Sequence, residues 1–339
     1  MSQFERLTID DIARLANVSR TTASMVLNGH AERYRIARAT VERVLAVAAE
    51  HHFSPSQSAR ALRSHKTGTL GLVIPELTNF AHASLAQALE TQSRAAGYQL
   101  LIVTSDDDPD CEAEGLTQLL ARQVEGLIVV PAAGDPARYQ PWARRVPLVF
   151  ADRRIENCDI PWVVTDAIGS VTELVGTVLA QGVDEVVYLG GQSELSPSRD
   201  RLAGYRAALT AAGKAEQTDW VHQRDYRRDS GQALFADWHA AHGRDPQAVF
   251  TGSITLLEGV LAELIAQHRL ASAPRLITFD DHPLLDCLPL PIDAVAQDSG
   301  QLAEHSLALI QALLAGTPAH SLQVPARLRR RGAAAATGA

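Results

Sequence analysis

Along the first fifty residues apolar side chains recur three or four positions apart, the spacing of one buried helix face. Ile9, Ile12, Ala13, Leu15 and Ala16 predict a first helix, with Thr8 as its N-cap and Asp11 three residues on, close to a capping box. Asn17-Val18 breaks the pattern, Ser19 caps a second helix over Arg20 to Leu27, and Asn28-Gly29 closes it. Val41, Val44, Leu45 and Ala48 lie on one face of a third. The following stretch, SPSQSARALRSHK at 54–66, is small, polar and basic: a linker, or a helix too weak to stand without a partner.

From Thr69 the texture changes. Apolar runs at Leu70–Ile74, Gln99–Thr104, Gly126–Val130, Pro147–Ala151, Val163–Thr165, Val186–Leu189, Ala248–Thr251, Leu276–Phe279 and Ala294–Ala296 predict strands, most of them separated by helix-like segments. Such βαβ alternation predicts parallel sheets with helices on both faces. The stretch is long for one sheet, so two sheets of similar size with a cleft between them are expected. The chain would cross near Pro161–Asp166 and return near Asp293–Asp298. This gives a head at 1–53, a hinge at 54–67 and a core at 68–331. The core's N-subdomain is 68–162 plus 296–318, its C-subdomain 163–293 plus 319–331, and a tail at 332–339 is expected to be disordered.

Composition sharpens this. With 46% apolar and 21% charged residues among 339, the chain can bury large cores and is not a disordered one. Its net charge of −8 argues against nucleic acid until it is divided. Residues 1–67 hold ten Lys/Arg against six Asp/Glu, and the rest hold 21 against 33. A basic head on an acidic body points to an anionic polymer as the head's partner. Cys111, Cys158 and Cys287 have no metal-site spacing and fit a reducing compartment. Neither a secretory signal nor a run near the roughly 18–20 apolar residues of a membrane span is visible, so a cytoplasmic protein is expected.

A helix, a short turn and a second helix set across it present the start of that second helix to a DNA major groove. With Ala23, Val26 and Leu27 turned inward, Arg20, Thr21, Ser24 and Met25 remain outside, and an arginine there can bind guanine bidentately. A purely structural helical domain with a solvated arginine would show the same pattern. The run TIDDIARLANVSRTTASMVLNG, however, resembles the DNA-binding head of the LacI/GalR (lactose-repressor) family of bacterial transcription regulators. It has that family's apolar-Asp-apolar-Ala start, Val-Ser turn, Thr-x-Ser helix and closing Asn. The likeness runs through Phe53-Ser-Pro55 into the two-sheet body. Within the family the fructose-repressor (catabolite repressor/activator) branch is most similar. That likeness is carried by NGHAERYRIARATVERV with Tyr34-Arg35, by Met25 where many members have Arg, and by GLVIPELTN and ALFADWHAAHGRDPQAVFTGSITLLEGV.

The resemblance implies an N-terminal all-α helix-turn-helix domain with a hinge helix, joined to a C-terminal α/β two-lobed periplasmic-binding-protein-like core of parallel sheets. It implies contacts to double-stranded operator DNA from Thr8, Ser19, Arg20, Thr21, Thr22, Ser24, Met25, Asn28, Tyr34 and Arg35. It also implies paired hinge helices in the minor groove, using Ser58, Ala59, Leu62 and Arg63, with Leu62 wedged between base pairs. The chemistry fits: Ser58 and Ala59 permit close helix approach, and Arg60, Arg63 and Lys66 can neutralise phosphates. A two-fold homodimer would match a pseudo-palindromic operator. With no C-terminal leucine heptad visible, a dimer is expected rather than a tetramer.

Parallel sheets bind ligands beyond their strands' C-terminal ends, where this chain carries Asn79, Asp152-Arg153, Arg199, Arg201, Ser253 and Asp280-Asp281. Carboxylates suit hydroxyls and guanidiniums suit phosphate, so a small hydroxylated anion is expected. The resemblance assigns effector contacts to Asp152, Arg201, Ser253 and Asp280 and implies fructose 1-phosphate as effector. Arg201, then Arg199 and Arg153, are the candidates for its phosphate. The run Thr251-Gly252-Ser253-Ile254 departs from the Asn-Asp of free-sugar members. Structural ion pairs would explain Arg153 and Asp281 equally well, and His82 is a candidate for the cleft lining, with a helix-surface position the favoured reading. Gly190-Gly191 reads as a turn. No dinucleotide fingerprint, phosphate-loop lysine or metal spacing appears, so no cofactor, no metal and no enzyme is expected; a glycosidase reading of Asp152 and Asp280 has only their chemistry behind it. The alternatives are a two-lobed solute-binding protein, which the basic head opposes, and a regulator answering to another sugar or to a purine, for which Phe80 and Trp162 are the only aromatics to offer. The expected mechanism is allosteric: effector closes the cleft, the hinges separate, and operator affinity falls by about 1–3 kcal/mol or more.

Overall fold

The computed structural model describes residues 7–53 and 66–332. The hinge positions Ser58, Ala59, Arg60, Leu62 and Arg63, and all of the expected tail but Gly332, lie outside the described residues. The chain forms two compact units, Met1–Thr67 and Gly68–Ala339.

The first unit has three helices, α1 (Ile9–Leu15), α2 (Arg20–Leu27) and α3 (Arg38–Glu50). Ile12, Ala13 and Ala16 of the first, Ala23 and Val26 of the second and Val44 of the third form its core. Asn17, in the left-handed region at φ 50°, turns the chain between α1 and α2, and Arg43 donates to the Ala16 carbonyl at 2.8 Å, closing α1 from α3. Two expected core residues are not there: Leu15 and Leu45 are half exposed. Small alanines make the helix crossings, and Leu45, one residue past Val44, is turned some 100° away from it.

The second unit runs β1 (Thr69–Ile74), α4 (Phe80–Ala95), β2 (Gln99–Thr104), α5 (Pro109–Ala121), β3 (Gly126–Val129), α6 (Gln140–Ala143), β4 (Leu148–Ala151), β5 (Trp162–Thr165) and α7 (Ala167–Ala180). It continues β6 (Val186–Gly190), α8 (Ser196–Ala211), β7 (Val221–Gln223), α9 (Arg228–His242), β8 (Ala248–Thr251), α10 (Ile254–Ala266) and β9 (Arg275–Phe279). It ends β10 (Asp293–Ala296), α11 (Ser299–Leu314), β11 (Leu322–Val324) and β12 (Arg327–Arg329). Two six-stranded sheets result, ordered β11-β5-β4-β3-β1-β2 and β12-β10-β9-β8-β6-β7. All described pairings are parallel except β10 with β12.

Each sheet is covered on both faces, which is why its strands read as continuous apolar runs. In the first, Leu70, Leu72 and Ile74 pack under Leu85 and Leu89 of α4 and Leu307 and Ile310 of α11. Val73, Leu127 and Val129 face α5 and Tyr139 on the other side. In the second sheet α7 and α8 cover Val186, Tyr188 and Phe250, while α9 and α10 cover Val187, Leu189 and Val249.

The subdomain limits differ from those expected. β5 pairs with β4, and β11 with β5, so residues 162–165 and 322–324 belong to the first sheet. Only β12 returns to the second. The chain therefore crosses three times, near Asp166, Gln297 and Pro325, instead of at 163, 296 and 319. β7, β11 and β12, each three residues long, carry too little pattern to be seen in sequence.

Candidate functional site

In the head, the residues expected at DNA divide by what their polar groups already do. The Thr8 hydroxyl accepts from the Asp11 amide and the Asp11 carboxylate from the Thr8 amide, at 3.3 and 2.9 Å: a complete capping box. Ser19 accepts from the Thr22 amide at 3.1 Å and meets the Thr22 hydroxyl at 2.8 Å. Asn28 donates to the Ser24 carbonyl and hydroxyl at 2.7 and 3.3 Å, fixing the other end of α2. Arg20 and Thr21 stand exposed on the first turn of α2, where Arg20 has only a loose 3.5 Å approach to Asp10. Met25 is half-buried. Tyr34 is half exposed, and Arg35 beside it holds φ at 50°.

In the second unit, β1 lies between β2 and β3, and β6 between β7 and β8. At such points successive connections leave to opposite sides and open a crevice beyond the strand ends. The two crevices face one cavity of about 500 Å³, within the size range of small-molecule sites.

The first lobe supplies Glu76, Asn79 and His82 after β1, Asp106 and Asp107 after β2, and Asp152 and Arg153 after β4. The second supplies Gln192 after β6, Arg201 from α8, Asp225 to Arg228 after β7, Ser253 and Thr255 after β8, Asp280 after β9 and Gln297 after β10. Asp152 and Asp280 both sit in the left-handed region, at φ 63° and 72°. Aspartate tolerates this better than most residues, and such backbone strain gathers at functional sites.

Hydrogen bonds and ring contacts cross between the lobes. Asn79, the N-cap of α4, reaches Thr255 at 3.4 Å, and Phe80 meets His282 edge-on at 4.3 Å. Thr165 donates to the Gln297 side-chain carbonyl at 2.5 Å, and the Gln297 amide donates to Asp280 at 2.7 Å, so the end of β5 is tied to the cavity floor. Arg154 holds Asp200 with both terminal nitrogens.

Charge is placed with care. Burial pushes the Asp280 carboxyl above its usual range, opposed by the nearby Arg201 cation and the Gln297 hydrogen bond. Arg201 is itself buried, lies 3.8 Å over the Phe279 ring and donates to the Gly252 carbonyl at 2.6 Å; its Nε has no partner among the described residues. Burial lowers the His82 imidazole's affinity for a proton, against the pull of Asp152, whose carboxylate is 4.0 Å from His82 Nε2. Arg153 is gripped by Asp107 at 2.5 and 3.2 Å and by the Pro131 carbonyl at 3.1 Å. Among the described residues no group of His, Cys, Asp and Glu could hold a metal ion.

Asn79, Asp152, Arg153, Arg201, Ser253 and Asp280 are thus brought together, and Arg199 is not. Two residues before Arg201, it turns to the far side of α8, where it bonds the Glu194 carbonyl and approaches Glu156 at 3.5 Å. His82 is buried against the cavity instead of lying on a helix surface. Asp281 is structural, paired with Arg331 at 2.8 Å. Gly190-Gly191 is more than a turn: a side chain on Gly191 would collide with the Tyr226 ring, which packs there. Phe80 and Trp162 do not line the cavity; its aromatic is Tyr226, in the Asp225–Arg228 segment that follows the unforeseen β7.

Comparison with known proteins agrees with both units. Residues 8–56 match the bacterial regulatory proteins of the lacI family, and residues 67–316 match the periplasmic binding proteins and sugar binding domain of the LacI family. The sucrose operon repressor of Klebsiella pneumoniae is 45% identical over 96% of this chain and 98% of its own. The fructose operon regulatory protein of Vibrio cholerae serotype O1 is 38% identical over 89% and 93%. The crystal structure of the Cra transcriptional dual regulator from Pseudomonas putida, in complex with fructose 1-phosphate, is 32% identical, covers 78% of this chain and 99% of its own, and superposes with a TM-score of 0.72. This chain belongs to the LacI family of bacterial regulatory proteins, as a DNA-binding repressor of sugar operons.

Proposed function

We propose that this repressor governs genes for uptake and use of a fructose-containing sugar and leaves its operator when fructose 1-phosphate fills the cavity. One observation carries the reading: the cavity joins a buried carboxylate, Asp280, and a half-buried one, Asp152, to the buried Arg201 and to Arg228, a guanidinium without a carboxylate partner among the described residues. Carboxylates accept from sugar hydroxyls, and unpaired guanidiniums take phosphate. The names of the relatives, a sucrose operon repressor and a fructose operon regulatory protein, support the sugar class. The fructose 1-phosphate in the related Cra crystal structure supports the effector.

In this reading Asn79, Asp152, Arg153, Arg201, Ser253 and Asp280 contact the effector, with His82 and Gln297 beside them. Thr8, Ser19, Thr22, Ser24, Met25 and Asn28 shape or line the reading helix. Arg20, Thr21, Tyr34 and Arg35 meet DNA, with the hinge residues Ser58, Ala59, Leu62 and Arg63 in the minor groove. The chain works as a homodimer on a two-fold operator. A cytoplasmic location follows from that role; no described helix is long and apolar enough to cross a membrane.

Two other readings lose ground. A purine effector would want a stacking surface; Phe80 and Trp162 do not reach the cavity, and the ring that does, Tyr226, is held at its hydroxyl by Ser198 and packed against Gly191. The solute-binding reading has no use for the lacI-type head.

The test is a gel shift on DNA upstream of the chain's own gene or of a neighbouring sugar operon, with and without fructose 1-phosphate, fructose or sucrose. Retardation relieved by fructose 1-phosphate is expected. Retardation indifferent to all three would refute the effector assignment, and no retardation at low salt would refute DNA binding at those sites.

A further inference from the structure

The cavity wall carries more carboxylates than guanidiniums, with Glu76, Asp106, Asp107, Asp152, Asp225 and Asp280 set against four arginines. A phosphate therefore needs a cation that is not already committed. Arg153 is committed, held bidentately by Asp107 and also by the Pro131 carbonyl. Arg201 is sealed flat on Phe279, bonded to Gly252, and feels the charges of Asp280 and Asp152. Those are the carboxylates suited to sugar hydroxyls, and a phosphate dianion beside Arg201 would meet both.

Arg227 and Arg228 differ. They stand exposed at the start of α9 and line the cavity. Arg228 pairs with no carboxylate among the described residues, and Arg227 has only Asp225, at 3.9 Å. Their base is fixed. The Asp225 carboxylate accepts from the Arg227 amide at 3.2 Å and from the Ser230 hydroxyl. The Tyr226 hydroxyl meets Ser198 at 2.8 Å, and its ring fills the space beside Gly191.

We propose that Arg228, assisted by Arg227, is the phosphate-recognition subsite of this cavity, taking the phosphate monoester of a phosphorylated ketose whose ring hydroxyls face Asp152, Asp280 and Arg201. The proposal rests on the phosphosugar reading above and assigns its anion to residues outside the Asp152–Arg153, Arg201 and Asp280 set. Planar guanidiniums can each offer two N–H donors to phosphate oxygens. The sugar is thereby recognised by the buried groups and its phosphate by the exposed pair.

Isothermal titration calorimetry on the full chain, with fructose 1-phosphate and fructose as separate probes, tests this. Wild type should bind fructose 1-phosphate about 100-fold more tightly than fructose. Arg228→Ala should weaken fructose 1-phosphate about 10–100-fold, the range of one charge-assisted hydrogen bond, and leave fructose unchanged. The R227A/R228A pair should bring the two sugars together, and Arg228→Lys should fall between. Arg224→Ala, an exposed arginine just past β7 that does not line the cavity, should change neither. Unaltered operator binding shows that each variant is folded. The subsite is overturned if R228A leaves fructose 1-phosphate unaffected, weakens both sugars alike, or is matched by R224A. A wild type that binds neither sugar, or both equally, removes the phosphosugar reading itself and the subsite with it.

Discussion

The buried charges of Arg201 and Asp280 at the cavity floor make a strong demand on stability. Replacing Arg201 by Met keeps much of the side-chain volume but deletes the donor to the Gly252 carbonyl and the cation on Phe279. It also leaves Asp280 without its main compensating charge. Leaving a buried charge uncompensated costs about 3–5 kcal/mol. At roughly 2–4 °C per kcal/mol for a unit of this size, the melting temperature should fall by about 10 °C. The deficit should depend on pH, with a definite sign. The folded Asp280 carboxyl already titrates above its unfolded value because burial opposes its charge. A group raised in this way favours the fold below its unfolded pKa, and that contribution is lost as pH rises through the folded value. Without Arg201 the carboxyl is raised further, so the loss should be greater at pH 8 than at pH 5. Adding Asp280→Asn should restore most of the stability, because the uncompensated charge is gone, and should not restore release by fructose 1-phosphate. Differential scanning calorimetry of the two single variants and the double variant at both pH values decides the matter. A deficit under 1 kcal/mol, one that is flat in pH, or one untouched by Asp280→Asn would refute the electrostatic account of the floor.

Other expectations follow from single contacts. Gly259→Ala would place a methyl about 2.1 Å from the Arg228 carbonyl; because backbone must shift, it should cost about 1–3 kcal/mol in thermal melts and weaken fructose 1-phosphate more than fructose. Gln297→Leu breaks the chain from Thr165 to Asp280, and should leave operator affinity intact while reducing the fall caused by effector, as read by fluorescence anisotropy. Arg20→Ala should cost about 1–3 kcal/mol on the preferred operator and relax specificity at one base pair per half-site, without changing non-specific affinity. Leu62→Ala should lose specific affinity while keeping most of the salt-dependent non-specific binding; equal losses of both in a salt series would remove its role as a wedge.

Much of this was legible in the residues, and the gaps have physical causes. Thr8 with Asp11, and Ser19 before α2, announce their helices because capping is local chemistry carried by a few adjacent side chains. Strands buried on both faces, such as Thr69–Ile74, show as unbroken apolar runs. Three-residue strands offer no such run, so β7 passed unnoticed, and with it the Asp225–Arg228 segment that closes one side of the cavity. β11 and β12 are too short to show for the same reason, and the last crossing between lobes lies between them. Arg199 and Arg201 look equivalent as letters; two residues of helix set them on different faces. His82 is a polar letter at the start of an amphipathic helix, and only the tertiary arrangement puts Asp152 beside it. Leu15 and Leu45 show the converse, apolar letters that a core built on alanine crossings leaves outside.

Operator binding by the head and effector binding in the core cavity should be thermodynamically linked, and a closed binding cycle measures that linkage directly. Operator affinity should be titrated by anisotropy at fixed ionic strength, with and without saturating fructose 1-phosphate, and the sugar phosphate titrated calorimetrically into free and operator-bound protein. Operator affinity should fall about tenfold or more, and sugar-phosphate affinity should fall by the same factor on the operator complex. Identical operator affinity in the two arms, or a sugar phosphate that binds the operator complex as tightly as the free protein, would contradict the linkage.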